Sequence, residues 1–331
     1  MLFINQRETD PYFNLAAEEY ILENGMGDAF MLWRNKPSVI IGKNQNAYAQ
    51  LNLPFVQAHN ILVARRLTGG GAVFHDLGNV NFTFVTDAPK QGGIDFQRFT
   101  APMVKALQKL GIPAVLGGRN DLLVGDRKIS GNAQCVYSAK DGRQRLLHHG
   151  TLLFSADLSR LSGALKVNQE KMESKGIQSV ESRVANIRDL TQYRGPDTVE
   201  EFLDVLAAGA VAQYGPAREY TLEEATAIQE LAEKKYSTWD WNFGQSGEYR
   251  CFREKRFDFG TVSVSLNADR GLILEIAFAG DYFGVKDTAQ LAKRLAGCRM
   301  ELESLTVALA GCTDYIYGST SAELADLILG Q

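Results

Sequence analysis

Cysteine, histidine and long apolar runs are all scarce in this chain. Its 331 residues carry four cysteines, at 135, 251, 298 and 312, and four histidines. No two cysteines form a C-x-x-C pair, and their spacing fits no zinc pattern. Scattered thiols of this kind read as free cysteines in a reducing compartment. No stretch approaches the roughly eighteen apolar residues of a membrane-spanning helix. The start, MLFINQRETDPYF, has neither a basic n-region nor an apolar core, so no secretory signal is read there and a cytoplasmic location is expected. Asn81-Phe82-Thr83 matches the glycosylation sequon, and without a secretory route that match is chance. Excess positive charge is missing too. Lys and Arg number 35 against 39 Asp and Glu, a net charge of −4. That argues against bulk, sequence-independent nucleic-acid binding, which needs a basic face, while leaving room for a local basic pocket.

What is present suits a globular protein that needs no staples. Hydrophobic residues make up 45% and charged residues 22%, and the length suggests two domains. Asp10-Pro11 starts a helix expected to run to about Asn24, with Leu15, Tyr20, Ile21 and Leu22 inward and Gly25 ending it. Strand-length apolar runs follow at 29–33, 38–42, 61–66, 72–75 and 80–86, punctuated by Gly, Pro or Asn. Residues 95–110 have helical spacing. Strands are expected again at 122–124, 128–137 and 144–155, and residues 157–237 read as mostly helical. The stretch Trp239-Asp240-Trp241-Asn242-Phe243-Gly244 closes this unit, its tryptophans serving as packing anchors. Beyond a linker at Gln245-Ser246-Gly247 the pattern resets. Strict alternation over Thr261–Leu266, a turn, a strand at 272–278 and three short helices predict a small α+β domain. The expected organisation is a catalytic domain over 1–245 and an accessory domain over 246–331. No apolar seam is evident, so a monomer is the default.

Three segments carry the chemistry. Arg65-Arg66-Leu67-Thr68-Gly69-Gly70-Gly71-Ala72-Val73-Phe74-His75-Asp76 sets three glycines between two apolar strands. Bare backbone of that kind lets N–H groups close on an anion, and arginine beside it adds charge and a planar donor fork. It is neither a Walker loop nor a G-x-G-x-x-G fingerprint, and a flexible hairpin turn would also use such glycines. Gly118-Arg119-Asn120-Asp121-Leu122 is followed closely by Gly125-Asp126-Arg127-Lys128-Ile129-Ser130-Gly131. Taken alone, Lys128 fits a solvated lysine on an edge strand and Asp121 a turn residue. His148-His149-Gly150-Thr151 holds two adjacent histidines. Neighbouring strand residues point to opposite faces, so only one of them can face a given site.

RRLTGGGAVFHDLGNVNF, GRNDL, GDRKISG, HHGTLL and the closing W-x-W-N-F-G occur in this order and at these intervals. Together they closely resemble the bacterial lipoate–protein ligase A family, including its C-terminal accessory domain, over essentially the whole chain. The resemblance implies an α/β (α+β) catalytic domain of the biotin/lipoate ligase type, with mixed sheets flanked by helices. It implies that ATP activates lipoate to lipoyl-AMP, which is then transferred to a lysine of lipoyl domains of 2-oxoacid dehydrogenase E2 subunits or of the glycine-cleavage H protein. It places ATP or lipoyl-AMP against Arg66, Gly69, Gly70, Gly71, Ala72, Val73, Phe74, Asn79, Asp121 and Lys128. Lipoate falls against Lys128, Gly70, Gly71 and His149, and Mg²⁺ on Asp121. Lys128 becomes the residue touching both lipoate and phosphate. The accessory domain, by the same resemblance, moves on adenylation to admit the acceptor.

The rival readings are an ATP-independent octanoyl or lipoyl transferase using Cys135 as a thioester nucleophile, and a non-catalytic lipoate-binding protein. Cys135 has neither a base nor a cation as a sequence neighbour, which a reactive thiol needs. Lipoate and octanoate stay undivided at this point, because a hydrophobic pocket separates such analogues weakly.

Overall fold

The computed structural model describes residues 1–24, 26–89, 95–117, 120–166, 184–247, 249–282 and 286–330. Gly25, expected to end the first helix, and Gly118 and Arg119 of the GRNDL segment lie outside these residues. The described chain separates into two compact units, Met1–Lys43 with Ile61–Thr238, and Asn44–Asn60 with Trp239–Gln331.

The first unit is built on a seven-stranded sheet, order β1-β2-β6-β10-β9-β8-β7. Its strands are β1 (Leu2–Asn5), β2 (Ala29–Trp33), β6 (Asn79–Asp87), β7 (Val115–Gly117), β8 (Asp121–Val124), β9 (Arg127–Ser138) and β10 (Gln144–Leu153). Only β1 and β2 run parallel; the other neighbours are antiparallel. A small sheet, order β4-β3-β5, joins β3 (Ser38–Ile41), β4 (Leu62–Arg65) and β5 (Val73–His75). The glycine segment thus links β4 to β5. The mixed α/β class expected from the sequence is the one observed.

Register decides what each face of the large sheet carries. His148 pairs with Phe84 and Gly150 with Phe82, while His149 pairs with Thr83 and Thr151 with Asn81. Side chains alternate along a strand and match across an antiparallel pair. One face therefore carries Phe30, Phe82, Phe84, Leu146 and Leu152. It packs under helices Phe96–Lys109 and Val199–Tyr214, with Phe99, Met103, Leu107, Phe202 and Leu206 completing the core. The other face carries Trp33, Asn81, Thr83, His149 and Thr151. The two histidines divide as the alternation requires.

The first helix, Pro11–Glu23, is capped by Asp10, which accepts from the amides of Tyr12 and Phe13. Leu15, Ile21 and Leu22 are buried as expected, and Tyr20 is half-buried. Its polar burial was not visible in the apolar pattern: Asn14, Glu18 and Glu19 are buried as well. Glu19 is held by Lys235 Nζ at 2.7 Å and Tyr236 Oη at 2.7 Å, both from a π-helical turn at Ala232–Tyr236.

Most of the described residues of the 157–237 stretch are helical, as expected. Helices cover Leu158–Ala164, Val199–Tyr214 and Leu222–Leu231, and residues 167–183 lie outside the described part. Residues 184–198 are irregular because their backbone bonds elsewhere: Ala185 N donates to Lys128 O at 2.9 Å and Ile187 N to Leu153 O at 2.6 Å.

The second unit carries the sheet β11 (Tyr249–Phe257), β12 (Gly260–Asp269) and β13 (Leu272–Gly280), with helices Thr288–Leu295, Leu302–Ala308 and Ser321–Leu329. Two of its strands are those read from the sequence. The third, β11, holds Arg250, Arg253, Glu254, Lys255 and Arg256, charges that suit an edge strand and hide its alternation. Asn44–Asn60 joins this unit although distant in sequence. Tyr48 donates to Met300 O at 2.8 Å and packs on Phe243 at 5.5 Å between ring centroids. Trp239 anchors packing, with the Arg299 guanidinium over its ring at 4.9 Å.

His148 makes the core pH-sensitive. It stacks on Phe99 at 5.0 Å and Phe82 at 6.1 Å, and burial pushes its pKa down to about 3. A histidine held neutral in the fold supports stability above its unfolded pKa near 6.5, and that support is lost as pH falls. Between pH 7 and 5 the loss at this residue is about 1–2 kcal/mol. Urea unfolding of His148→Phe is expected to show a drop between those pH values smaller by that amount.

Candidate functional site

The glycine segment and its neighbours enclose a cavity of about 130 Å³ on the polar face of the large sheet. Leu15, Trp33, Ile40 and Val73 supply apolar wall. Arg66, Gly70, Gly71, Ala72, His75, Asn81, Asn120, Lys128, Gly131, Asn132, Ala133, His149, Gly150 and Thr151 supply the rest. A larger open groove of about 600 Å³ lies between Phe96–Lys109 and Val199–Tyr214, and none of the motif residues lines it.

Of the residues singled out in the sequence, Arg66, Gly70, Gly71, Ala72, Val73, Lys128 and His149 meet at this cavity. Gly69, Phe74, Asn79 and Asp121 do not line it. Phe74 is 1% exposed inside β5. Asn79 is buried and spends its amide on Asn81 Oδ1 at 2.7 Å. Asp121 accepts from Lys128 Nζ at 2.8 Å, and both side chains are partly exposed.

Arg66 differs most from the expected phosphate fork. Its Nε donates to Thr68 Oγ1 at 2.9 Å and Nη1 to Ile40 O at 3.0 Å. Nη2 donates to Gly69 O at 2.7 Å and Gly71 O at 2.8 Å. Four of the five N–H groups of the guanidinium are thus committed to the protein. Burial lowers its pKa to about 10, with Glu18 opposing the shift, so it stays charged at neutral pH. Here the arginine shapes the loop. Gly70 takes a positive φ of 94°, and its carbonyl sits 2.2 Å from where a Cβ on Gly42 would be. Only glycine at 42 admits that approach.

Behind the cavity wall runs a continuous hydrogen-bonded chain. Thr68 Oγ1 and His149 Nε2 are 2.7 Å apart. His149 Nδ1 donates to Glu18, 2.9 Å from Oε1 and 3.1 Å from Oε2. Glu18 also accepts from Thr83 Oγ1 at 2.6 Å, and Thr83 accepts from Trp33 Nε1 at 2.8 Å.

The cavity also holds polar atoms with no protein partner among the described residues: Asn81 Nδ2, His75 Nε2 and Asn132 Oδ1, on side chains at most 4% exposed. His75 Nδ1 faces Asn35 Nδ2 at 3.1 Å and accepts from that amide, so Nε2 carries the proton. Burial pushes His75 down to about 3, keeping it neutral. Buried polar groups of this kind are satisfied by a ligand or by solvent. The sequence reading passed over Asn81, Asn132 and His75. The only signal for Asn81 was its polar turn within the alternating run Val80-Asn81-Phe82.

Lys128 stands at the rim, and glycine at 131 leaves it room: a Cβ there would lie 2.8 Å from Nζ. Among the described residues no three His, Cys, Asp or Glu side chains gather into a metal cluster, and no helix is long and apolar enough to cross a membrane.

Residues 10–210 match the family described as lipoyl protein ligase A/B catalytic domain, and residues 246–328 match the bacterial lipoate protein ligase C-terminus. The chain is 42% identical over 322 residues to lipoate–protein ligase 1 of Staphylococcus aureus, covering 96% of each. Among solved structures, an ATP-bound lipoate–protein ligase A superposes with a TM-score of 0.60 at 28% identity, covering 74% of this chain and 98% of that one. A bipartite lipoate protein ligase of Thermoplasma acidophilum, described with its E2 lipoyl domain, gives 0.59 at 33% identity, covering 74% and 96%. The chain belongs to the lipoate–protein ligase family and is a ligase enzyme.

Proposed function

We propose that this ligase uses ATP to convert lipoate to lipoyl-AMP at the cavity, then passes the lipoyl group to a lysine of an acceptor lipoyl domain. The carrying observation is the meeting of the glycine loop, Lys128 and a narrow, partly apolar cavity. Residues 1–245 are assigned the chemistry and residues 246–331 the accessory role. Acceptors are E2 lipoyl domains and the glycine-cleavage H protein, and ATP as co-substrate fits a cytoplasmic enzyme.

The first step joins a carboxylate to an α-phosphate, with an oxygen–phosphorus bond forming and pyrophosphate leaving. Two anions must approach, so cationic and N–H donors set the barrier. Lys128 is assigned the contact with both. In the free protein its ammonium is neutralised by Asp121, and substrate anions take over that pairing. Gly70, Gly71 and Ala72 offer backbone N–H groups without side-chain bulk. Asn81 Nδ2 and His75 Nε2 supply buried donors for a substrate oxygen.

A single carboxylate fits a Mg²⁺ that arrives on the nucleotide, since Mg²⁺ commonly takes one or two carboxylates and completes its shell with phosphate and water. Asp121 would hold it, and the ion would neutralise phosphate charge. In the second step the acceptor amine attacks the acyl carbonyl and AMP departs; Lys128 stabilises the developing oxyanion.

Against a thioester route stands Cys135, on β9 opposite Leu147. Burial, reinforced by Glu18, pushes its thiol up to about 11, so it stays protonated at neutral pH.

The deciding assay follows lipoate-dependent pyrophosphate release together with the mass of a purified lipoyl domain. Pyrophosphate plus a lipoyl-sized mass gain on one lysine supports the reading; neither signal sinks it. Lys128→Ala is expected to lower the adenylation rate by about 10²–10³-fold. Gly131→Ala displaces only the flexible end of Lys128. It is expected to lower the rate by about tenfold or more while the melting temperature moves by less than ~2 °C. Cys135→Ser is expected to retain ATP-dependent activity; its loss would favour the transferase.

A further inference from the structure

We infer that Glu18 and Thr68 are positioning residues for the glycine loop, acting through His149 and Arg66. The inference rests on the reading of that loop as the nucleotide site.

The chain of bonds is unbroken from the first helix to the loop. The Glu18 carboxylate only accepts, so His149 must present its Nδ1–H to it. On its other side, His149 Nε2 lies 2.7 Å from the Thr68 hydroxyl, which can pair with that nitrogen as donor or as acceptor. A lone pair of the same hydroxyl oxygen receives Arg66 Nε–H at 2.9 Å. That bond fixes the plane of the guanidinium, and the plane fixes where Nη2 meets the carbonyls of Gly69 and Gly71. In a trans peptide the C=O and the following N–H point in opposite directions. With both carbonyls drawn toward Arg66, the N–H groups of Gly70 and Ala72 are turned away from it, and both residues line the cavity. A buried carboxylate on the first helix thereby sets the aim of two loop amides.

The far end is anchored equally firmly. Thr83 accepts from Trp33 and donates to Glu18, so the carboxylate is pinned from the central strands as well. Glu18 and Thr68 are 1% and 0% exposed and neither lines the cavity, so any effect they have on substrates passes through their neighbours.

The test is steady-state adenylation, read as lipoate-dependent pyrophosphate release, with KM measured separately for ATP and lipoate. Thr68→Val keeps the shape and removes the hydroxyl. It is expected to raise KM for ATP about tenfold or more, with a much smaller change for lipoate. Thr68→Ser restores the hydroxyl and is expected to return KM for ATP to near the wild-type value. Glu18→Gln removes the negative charge that holds the imidazole and is expected to shift KM for ATP in the same direction as Thr68→Val. Thr68→Ala takes the place of the valine variant if that fails to fold. Unchanged KM for ATP in the hydroxyl-free variant, or Thr68→Ser as impaired as it, overturns the positioning role alone. A wild-type protein that releases no pyrophosphate overturns the functional reading, and the inference falls with it.

Discussion

Arg66 is buried among backbone carbonyls, and the shape of the cavity follows from how its charge is satisfied. Burying a cation is costly unless every donor finds an acceptor. Here the acceptors are Ile40 O, Gly69 O, Gly71 O and Thr68 Oγ1. The loop is therefore bent around the guanidinium. Three glycines permit the bend, and a fourth, Gly42, permits the Gly70 carbonyl to pass close by. A motif that looks like a bare glycine loop is wound around an internal cationic post.

The large sheet keeps two kinds of chemistry apart. One face is aromatic and aliphatic, sealed under two helices, and it absorbs His148 as a neutral ring among phenylalanines. The opposite face concentrates threonine, asparagine, histidine and a buried glutamate around the cavity. A peptide unit separates the two histidines, yet pleating gives them unrelated environments. The polar face is stabilised by being saturated along one chain of bonds, while a few polar atoms at the cavity itself have no protein partner among the described residues.

Lys128 and Asp121 express the same logic at the rim. In the free protein each satisfies the other across 2.8 Å. Both side chains are partly exposed, so the pair is a weak one. A lysine held in this way stays close to the cavity without being locked, and Gly131 gives it space to swing.

The alternation of apolar residues, the placement of Gly and Pro, and the Asp10 cap were enough to locate the first helix, the helix at 96–109 and most strands. These are local properties, written within a few residues of one another. The glycine loop, Lys128 and His149 were legible because unusual residues cluster in short segments. Elements without a local pattern were not. β1 is four residues long and exists by pairing with β2, while the charged β11 exists by pairing with β12. Asn44–Asn60 takes its place through contacts with residues some two hundred positions away. Nothing in the local pattern marked Glu18, and the arginine pair before the glycines did not show that Arg66 bonds Ile40, Thr68, Gly69 and Gly71. Their partners depend on register across the strands and on the first helix laid against them. The sequence by itself determined which residue types were on hand and the local elements that carry them. The tertiary structure alone decided their partners, because a hydrogen bond is set by distance and direction between groups that the chain brings together only on folding.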